Sequence, residues 1–167
     1  MTSGRAIPLA LLVGSLMAPL GACGFAPLYA QSSLTSEMTH IQVVAPDGRE
    51  GYLLREALDD ELGHDKGAAP TYRLEMEFGQ TRLGLGLRPD ATSQRFEYDM
   101  TVNYALVEAA TGKVVHKGSV QSNISYDSTP QPYASISARS NTQDLLAADA
   151  ARKIRLDLAT WMTHQPG

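Results

Sequence analysis

Cys23 is the residue whose chemistry stands out, because it is the only cysteine in a chain of 167 residues. It comes directly after Leu20, Gly21 and Ala22, and the two small residues leave room for a peptidase to approach closely. A thiolate is a strong nucleophile, so this sulfur can accept a covalent group. A lone cysteine has no disulfide partner within the chain, and its presence therefore calls for another explanation.

The residues before Cys23 have the layout of a secretory signal sequence. Arg5 is the only charged residue among them, and an uncharged apolar run from Ala6 to Leu20 follows it. This run is about 15 residues long and is interrupted by Pro8 and Pro19, whereas a helix needs about 20 residues to cross a bilayer. A signal peptide over residues 1–22 is therefore favoured over a transmembrane anchor.

Together, the apolar run and Cys23 resemble a bacterial lipobox. In such a motif the sulfur receives a diacylglyceryl group, the chain is cut before the cysteine, and the new amino terminus is acylated. The alternative is a leftover cysteine beside an ordinary cleavage site. A single acyl chain binds a membrane only marginally, so stable anchoring needs more than one. We predict such a lipid anchor on Cys23.

The rest of the sequence contains no motif with the spacing of a catalytic or metal site. Its histidines are far apart and show no metal-ligand spacing. The segment Gly84-Leu85-Gly86 lacks the third glycine of a dinucleotide loop and the lysine of a P-loop. The acidic run Asp59-Asp60-Glu61 lacks the alternating oxygen ligands of a calcium loop. We expect a non-enzyme with no metal and no cofactor beyond the covalent lipid.

Length and charge restrict the remaining possibilities. About 145 residues follow the predicted signal peptide, enough for one domain with a substantial core. The net charge of -4 argues against nucleic-acid binding, which needs a basic face. Residues 24–36 are rich in Gly, Pro, Ser and Gln, so we assign residues 23–37 to a lipidated tether and residues 38–163 to a single domain.

Hydrophobic periodicity predicts the elements of this domain. Residues 39–44 form a short β-rich run, and residues 51–62 place Leu54, Leu58 and Leu62 on one helical face. Apolar and polar residues then alternate over residues 72–78, 95–106 and 114–126, as expected of half-buried strands. Residues 79–92 are interpreted as a long, partly extended hairpin tip. Val114 is expected on the same face as His116.

A final helix closes the domain. Ser140 and Gln143 fit a capping box at its start, and an apolar stripe with helical spacing follows. We therefore predict an α+β fold, with a four-stranded mixed or antiparallel sheet and two helices on one face, in the order β-α-β-β-β-α. The other face of the sheet should be polar, and its predicted members are Glu75, Glu77, Glu97, Asp99, Asn103, Gln121 and Asn123.

Several short segments resemble one known family. Residues 23–29, Cys-Gly-Phe-Ala-Pro-Leu-Tyr, are similar to the start of the mature LPS-assembly lipoproteins of the LptE family, in its alphaproteobacterial form. Further similarities are Phe96-Glu97-Tyr98, residues 101–104, and Tyr133-Ala134-Ser135 before an alanine-rich helix. The resemblance covers most of the mature chain.

The resemblance implies a function. Family members occupy the lumen of the LptD β-barrel in the outer membrane, plug it, assist its assembly and help move lipopolysaccharide to the outer leaflet. It thus implies an LptE-like domain over residues 38–163, lipid-anchored at the outer membrane, facing the periplasm and lying within the barrel lumen. Gly24, in place of an aspartate, is in keeping with sorting to the outer membrane. The implied partners are the barrel, lipopolysaccharide and the membrane, with no nucleic acid.

Four arginines are the candidate contacts for lipopolysaccharide phosphates. Arg82, Arg88 and Arg95 flank the predicted hairpin tip, and Arg139 is expected just before the last helix. Arg88 and Arg139 best match basic positions of the family. The alternative is that they are ordinary solvated charges or ion-pair partners of Asp90 and Glu97. A different class of function also stays open, namely a free-standing periplasmic lipoprotein that binds a small apolar or glycan ligand, or an enzyme with an unrecognised site.

Overall fold

The order of helices and strands follows the predicted α+β pattern, with one helix added at the start. The computed structural model describes residues 32–87, 93–128 and 130–164. Its elements, in chain order, are α1 Ser32–Thr39, β1 Ile41–Val44, α2 Arg49–Leu62, β2 Tyr72–Leu87, β3 Ser93–Glu108, β4 Val114–Asp127 and α3 Pro132–Thr163. The predicted fold class and mixed four-stranded sheet are confirmed.

The sheet is dominated by one long hairpin. Its strand order is β1-β2-β3-β4, and β1 runs parallel to β2 while the other pairs are antiparallel. β2 and β3 pair residue by residue from Tyr72 opposite Glu108 to Leu85 opposite Arg95. β1 pairs only with the first four residues of β2, so the hairpin continues far beyond the parallel pair.

The core lies between one face of the sheet and the helices α2 and α3. Alternate residues of β2 and β3 point into it, as the period-two pattern predicts. Leu54 and Leu58 of α2 and Ile154 and Leu158 of α3 are fully buried against them. The opposite face is polar as predicted: Glu75, Glu77, Asn103, Gln121 and Asn123 are exposed, while Glu97 and Asp99 are half-buried. We call this surface the open face.

The predicted capping box at Ser140 and Gln143 is wrong. α3 begins at Pro132, whose fixed φ suits the first helical position, and the preceding Gln131 is extended. Ser140 and Gln143 lie inside the helix and contact the start of α2 instead. Arg49 donates a hydrogen bond to the Ser140 hydroxyl at 2.9 Å, and the Gln143 amide donates one to the Glu50 carboxylate at 3.3 Å. These polar side chains join two helices and do not cap one.

Three boundaries and the orientation of one side chain also differ from expectation. α1 was not predicted, and because it extends to Thr39 the first strand begins at Ile41. Most of the expected hairpin tip is strand, since pairing across β2 and β3 satisfies the backbone up to Leu87. Val114 does not share the face of His116, because a register shift between Leu106 and Val107 turns it outward and leaves it 43% exposed.

A polar cluster joins α3 to the sheet at the end away from the hairpin tip. The Tyr104 hydroxyl donates a hydrogen bond to Asp157 of α3, and Nε2 of His116 lies 2.6 Å from the same carboxylate oxygen. The His116 ring stacks on Trp161, with centroids 5.4 Å apart. Burial opposes ionisation of Asp157, but the hydrogen bonds from Tyr104 and His116 and the charge of His116 outweigh it and lower the pKa of this carboxyl.

Gly118 makes this cluster possible. It lies directly opposite Tyr104 in β4, and a Cβ at this position would overlap the Tyr104 hydroxyl and ring. We predict that Gly118→Ala displaces Tyr104 from Asp157 and lowers the free energy of unfolding by about 1–3 kcal/mol, as overpacking of a core does. Urea unfolding measures this change. The control is Gly79→Ala, a strand glycine with open space around it, and equal losses in the two variants would contradict the prediction.

The lowered pKa of Asp157 predicts a dependence of stability on acid. Since the folded-state pKa lies below the ordinary 3.8, its contribution is complete above that value and is lost as pH falls through the folded-state pKa. Below about pH 4 the free energy of unfolding of Asp157→Asn should therefore fall less steeply than that of the wild type. Urea titrations across this range test the difference. Asp144→Asn, an exposed change on the same helix, should follow the wild type.

Candidate functional site

The far end of the sheet carries an aromatic stack that the helices do not cover completely. We call this end the tip, and it comprises residues 82–87, 93–98 and 124–127. Phe96 and Tyr126 lie opposite each other on β3 and β4 with ring centroids 5.6 Å apart. Tyr98 stacks on Tyr126 at 5.9 Å and is buried, whereas the other two rings are half-buried. The stack thus passes from the core to the surface.

Arg82 lies on this stack. Its guanidinium carbon is 3.8 Å from the centroid of Phe96 and 5.9 Å from that of Tyr126. Such stacking orders the guanidinium while its edge can still donate hydrogen bonds. Within residues 32–87, 93–128 and 130–164, no carboxylate forms an ion pair with Arg82. Its positive charge is therefore held in place without being neutralised by a described partner.

Arg95 is different, because it forms an ion pair within the sheet. Its Nε lies 3.0 Å from Oδ1 of Asp127, the residue opposite it on β4. Glu97 and Asp90 were the partners expected from the sequence for these arginines. Among the described residues Arg95 pairs with Asp127 and not with Glu97, and Asp90 lies outside the described residues. Both side chains are more than half exposed, so the pair contributes little to stability.

No described contact joins the other candidate residues, Arg88, Arg139 and Cys23, to the aromatic stack. Arg139 is exposed on α3, in the same uncovered stretch as Tyr133, which is 87% exposed, and Ile136, which is 66% exposed. Arg88 and Cys23 lie outside the described residues. Of the four arginines, the structure therefore defines the surroundings of Arg82 and Arg95 in detail.

The aromatic stack was not predicted from the sequence. Alternation placed Phe96 and Tyr98 on one face, but their contact with Tyr126 depends on the register of β3 and β4.

The described ranges build neither a metal site nor a membrane-spanning helix. They contain no group of three or more His, Cys, Asp or Glu side chains that could hold a metal ion. None of the helices described is both long and apolar enough to cross a membrane.

Comparison with known proteins gives a family and several related folds. The family model described as LptE: Lipopolysaccharide-assembly matches residues 38–158. The crystal structure of a lipoprotein from Caulobacter crescentus CB15 is 44% identical, with a TM-score of 0.71, over 81% of this chain and 100% of that chain. A comparison with curated proteins found no match.

More distant structures share the fold. The rare lipoprotein B from Shewanella oneidensis is 18% identical, with a TM-score of 0.55, over 74% of this chain and 96% of that chain. A minor lipoprotein from Acinetobacter baumannii is 16% identical, with a TM-score of 0.51, over 73% of this chain and 90% of that chain. At these identities the similarity concerns the fold alone.

Proposed function

The chain belongs to the lipopolysaccharide-assembly family LptE, and from this membership we propose that it is the lipoprotein partner of an LptD-type β-barrel in the outer membrane. A role in lipopolysaccharide assembly follows from the family. In our proposal the domain plugs the barrel lumen, assists barrel assembly and takes part in moving lipopolysaccharide to the outer leaflet. It does so by binding, without catalysis and without a cofactor.

A lipid anchor on Cys23 fits this role. The signal-like residues 1–22 and the small residues before Cys23 support it, and the 44% identical relative is also described as a lipoprotein. Acylation at Cys23 would hold the domain on the periplasmic side of the outer membrane, from where it enters the barrel lumen. Stable retention would require more than one acyl chain.

The open face of the sheet supports the position inside a barrel. The lumen of an outer-membrane barrel is polar, so a domain that occupies it needs a polar surface. Glu77, Asn103, Gln121 and Asn123 expose such a surface across β2, β3 and β4. We therefore propose the open face as the surface directed toward the barrel wall.

The single observation that carries the lipopolysaccharide contact is the position of Arg82 on the aromatic stack. Lipopolysaccharide bears phosphates, and a guanidinium can bind a phosphate through two parallel hydrogen bonds. Stacking on Phe96 fixes the side chain in advance, which reduces the entropy lost on binding. We propose Arg82 as the main phosphate contact. Arg88 and Arg139 are proposed as further contacts, and Arg95 contributes less because Asp127 already neutralises it.

Partnership with the barrel is tested by co-purification. Tagged wild-type protein extracted from outer membranes in mild detergent should bring down an LptD-type barrel in a fixed ratio. Cys23→Ala protein should be recovered from the soluble periplasmic fraction, since it lacks the acylated sulfur. Recovery of the wild type alone, with normal barrel assembly in its absence, would favour a free-standing ligand-binding lipoprotein and contradict the proposal.

The phosphate contact is tested with matched arginine variants. Because a charge-assisted hydrogen bond contributes about 1.5–3 kcal/mol, Arg82→Gln should weaken lipopolysaccharide binding by about tenfold or more. Arg95→Gln, at the same end of the sheet, should change affinity by less than about threefold, since an exposed ion pair is worth little. Titration of purified protein with fluorescent lipopolysaccharide measures both, and equal affinities of wild type and Arg82→Gln would remove Arg82 from the site.

A further inference from the structure

The outer edge of β2 has no neighbouring strand over most of its length. β1 pairs with β2 only from Tyr72 to Glu75, and β2 continues to Leu87. Across the described ranges, no other strand lies beside β2 on this side. Gly86, with φ of 73°, interrupts the extended backbone near the end of the strand. We call Met76–Leu85 the free edge.

The free edge has few of the features that usually prevent strand pairing, because its only charged residues are Glu77 and Arg82. Proteins protect exposed edges with lysines, prolines, bulges or very short strands. Residues 76–85 contain no lysine and no proline, and their register with β3 is continuous. Most of their side chains are exposed, including Leu83 at 52% and Leu85 at 39%. Regular, unpaired N–H and C=O groups along such an edge form a template for another strand.

The opposite edge of the sheet is protected. Lys153 of α3 donates a hydrogen bond to the backbone carbonyl of Gln121 in β4 at 2.7 Å. Ser122 of the same strand donates one to Asp149 of α3, and β4 also contains a bulge next to Val114. These contacts place a helix and a lysine along β4 and leave the free edge of β2 as the side open to pairing.

The side chains beside the free edge change from charged to apolar along its length. Where β1 ends, a groove is lined by Val44, Pro46, Glu75, Glu77, Asn103 and Lys117. Glu77 is exposed there and has no ion-pair partner among the described residues. Toward the tip, Leu83 and Leu85 replace the acids on the open face. A strand that binds here would meet the unpaired carboxylate of Glu77 toward one end of the free edge and apolar side chains toward the other.

We propose that the free edge binds an extended polypeptide segment, which adds to the sheet as a further strand beside β2. Backbone hydrogen bonds would provide most of the affinity, as in other cases of strand addition. Side chains of the segment on the open face would be basic where they pass Glu77 and apolar where they pass Leu83 and Leu85. Arg82 lies within the free edge, but its side chain is on the same face as its partner Tyr98, toward the helices, whereas the bound strand would use the backbone of β2 and the side chains of the open face.

Synthetic peptides test the proposal on the purified mature protein. The probe is a peptide of β-forming residues. Of its side chains, those that would lie on the open face are lysines at one end and valines at the other. It should slow hydrogen exchange of the amides in residues 76–85. An N-methylated peptide of the same sequence, which lacks alternate backbone donors, should bind at least about tenfold more weakly. Equal binding of the two peptides, or no binding by either, would overturn the proposal.

Protein variants locate the site. Leu83→Lys should weaken binding of the probe peptide, because an edge lysine disfavours pairing. Val114→Lys places the same change at a comparably exposed residue, 43% against 52%, on the opposite edge, and should leave binding unaltered. The proposal is wrong if Val114→Lys causes the larger loss. It is equally wrong if sedimentation shows a dimer of the protein whose 76–85 amides are protected without peptide, since the edge would then belong to a second copy.

Discussion

The constraint on which this structure depends is the difference in length between the sheet and the helices that cover it. Helix α3 buries its side chains only from Thr142 to Met162, whereas β2 and β3 continue to Leu87 and Ser93. Helix packing therefore closes the core over one part of the hairpin and leaves the tip uncovered. The apolar surface of the tip must therefore be covered by side chains of the tip itself, which explains why Arg82 lies on Phe96.

The two ends of the sheet differ in how their polar and charged side chains are paired. At the covered end, Tyr104 and His116 bind Asp157 of α3, so charge and polar groups are satisfied internally. At the tip, Arg82 stacks on Phe96 and forms no ion pair with any described carboxylate. The first arrangement stabilises the fold, and the second leaves hydrogen-bonding capacity for a ligand. This contrast is the physical reason for placing the binding site at the tip.

Much of the fold could be predicted from hydrophobic periodicity. Alternation along β2 and β3 and the apolar stripe of α3 report burial directly, and both predictions are confirmed. The first turns of α3 could not be found in this way, because Tyr133 and Ile136 are exposed and show no buried face. Ser140 and Gln143 have the types and spacing of a cap, but their partners, Arg49 and Glu50, are distant in sequence. Local patterns cannot reveal such long-range contacts.

The candidate site was less predictable than the fold for a related reason. Arg82 was recognised by its type and by its position near a hairpin tip, but its aromatic support comes from Phe96 on the next strand and Tyr126 on the strand after that. The ion pair of Arg95 likewise depends on the register that places Asp127 opposite it. Residue type therefore indicated which charges to consider, and strand pairing decided which of them is neutralised.

Photo-crosslinking in living cells tests most directly whether the tip contacts lipopolysaccharide. Tyr126 and Tyr72 are half-buried tyrosines on the same face of the sheet, one at the tip and one at the far end. A benzophenone amino acid in place of either keeps an aromatic ring at its position. We predict a lipopolysaccharide adduct from the Tyr126 position and none from the Tyr72 position. Adducts from Tyr72 alone, or in equal yield from both, would contradict the assignment of the tip as the contact site.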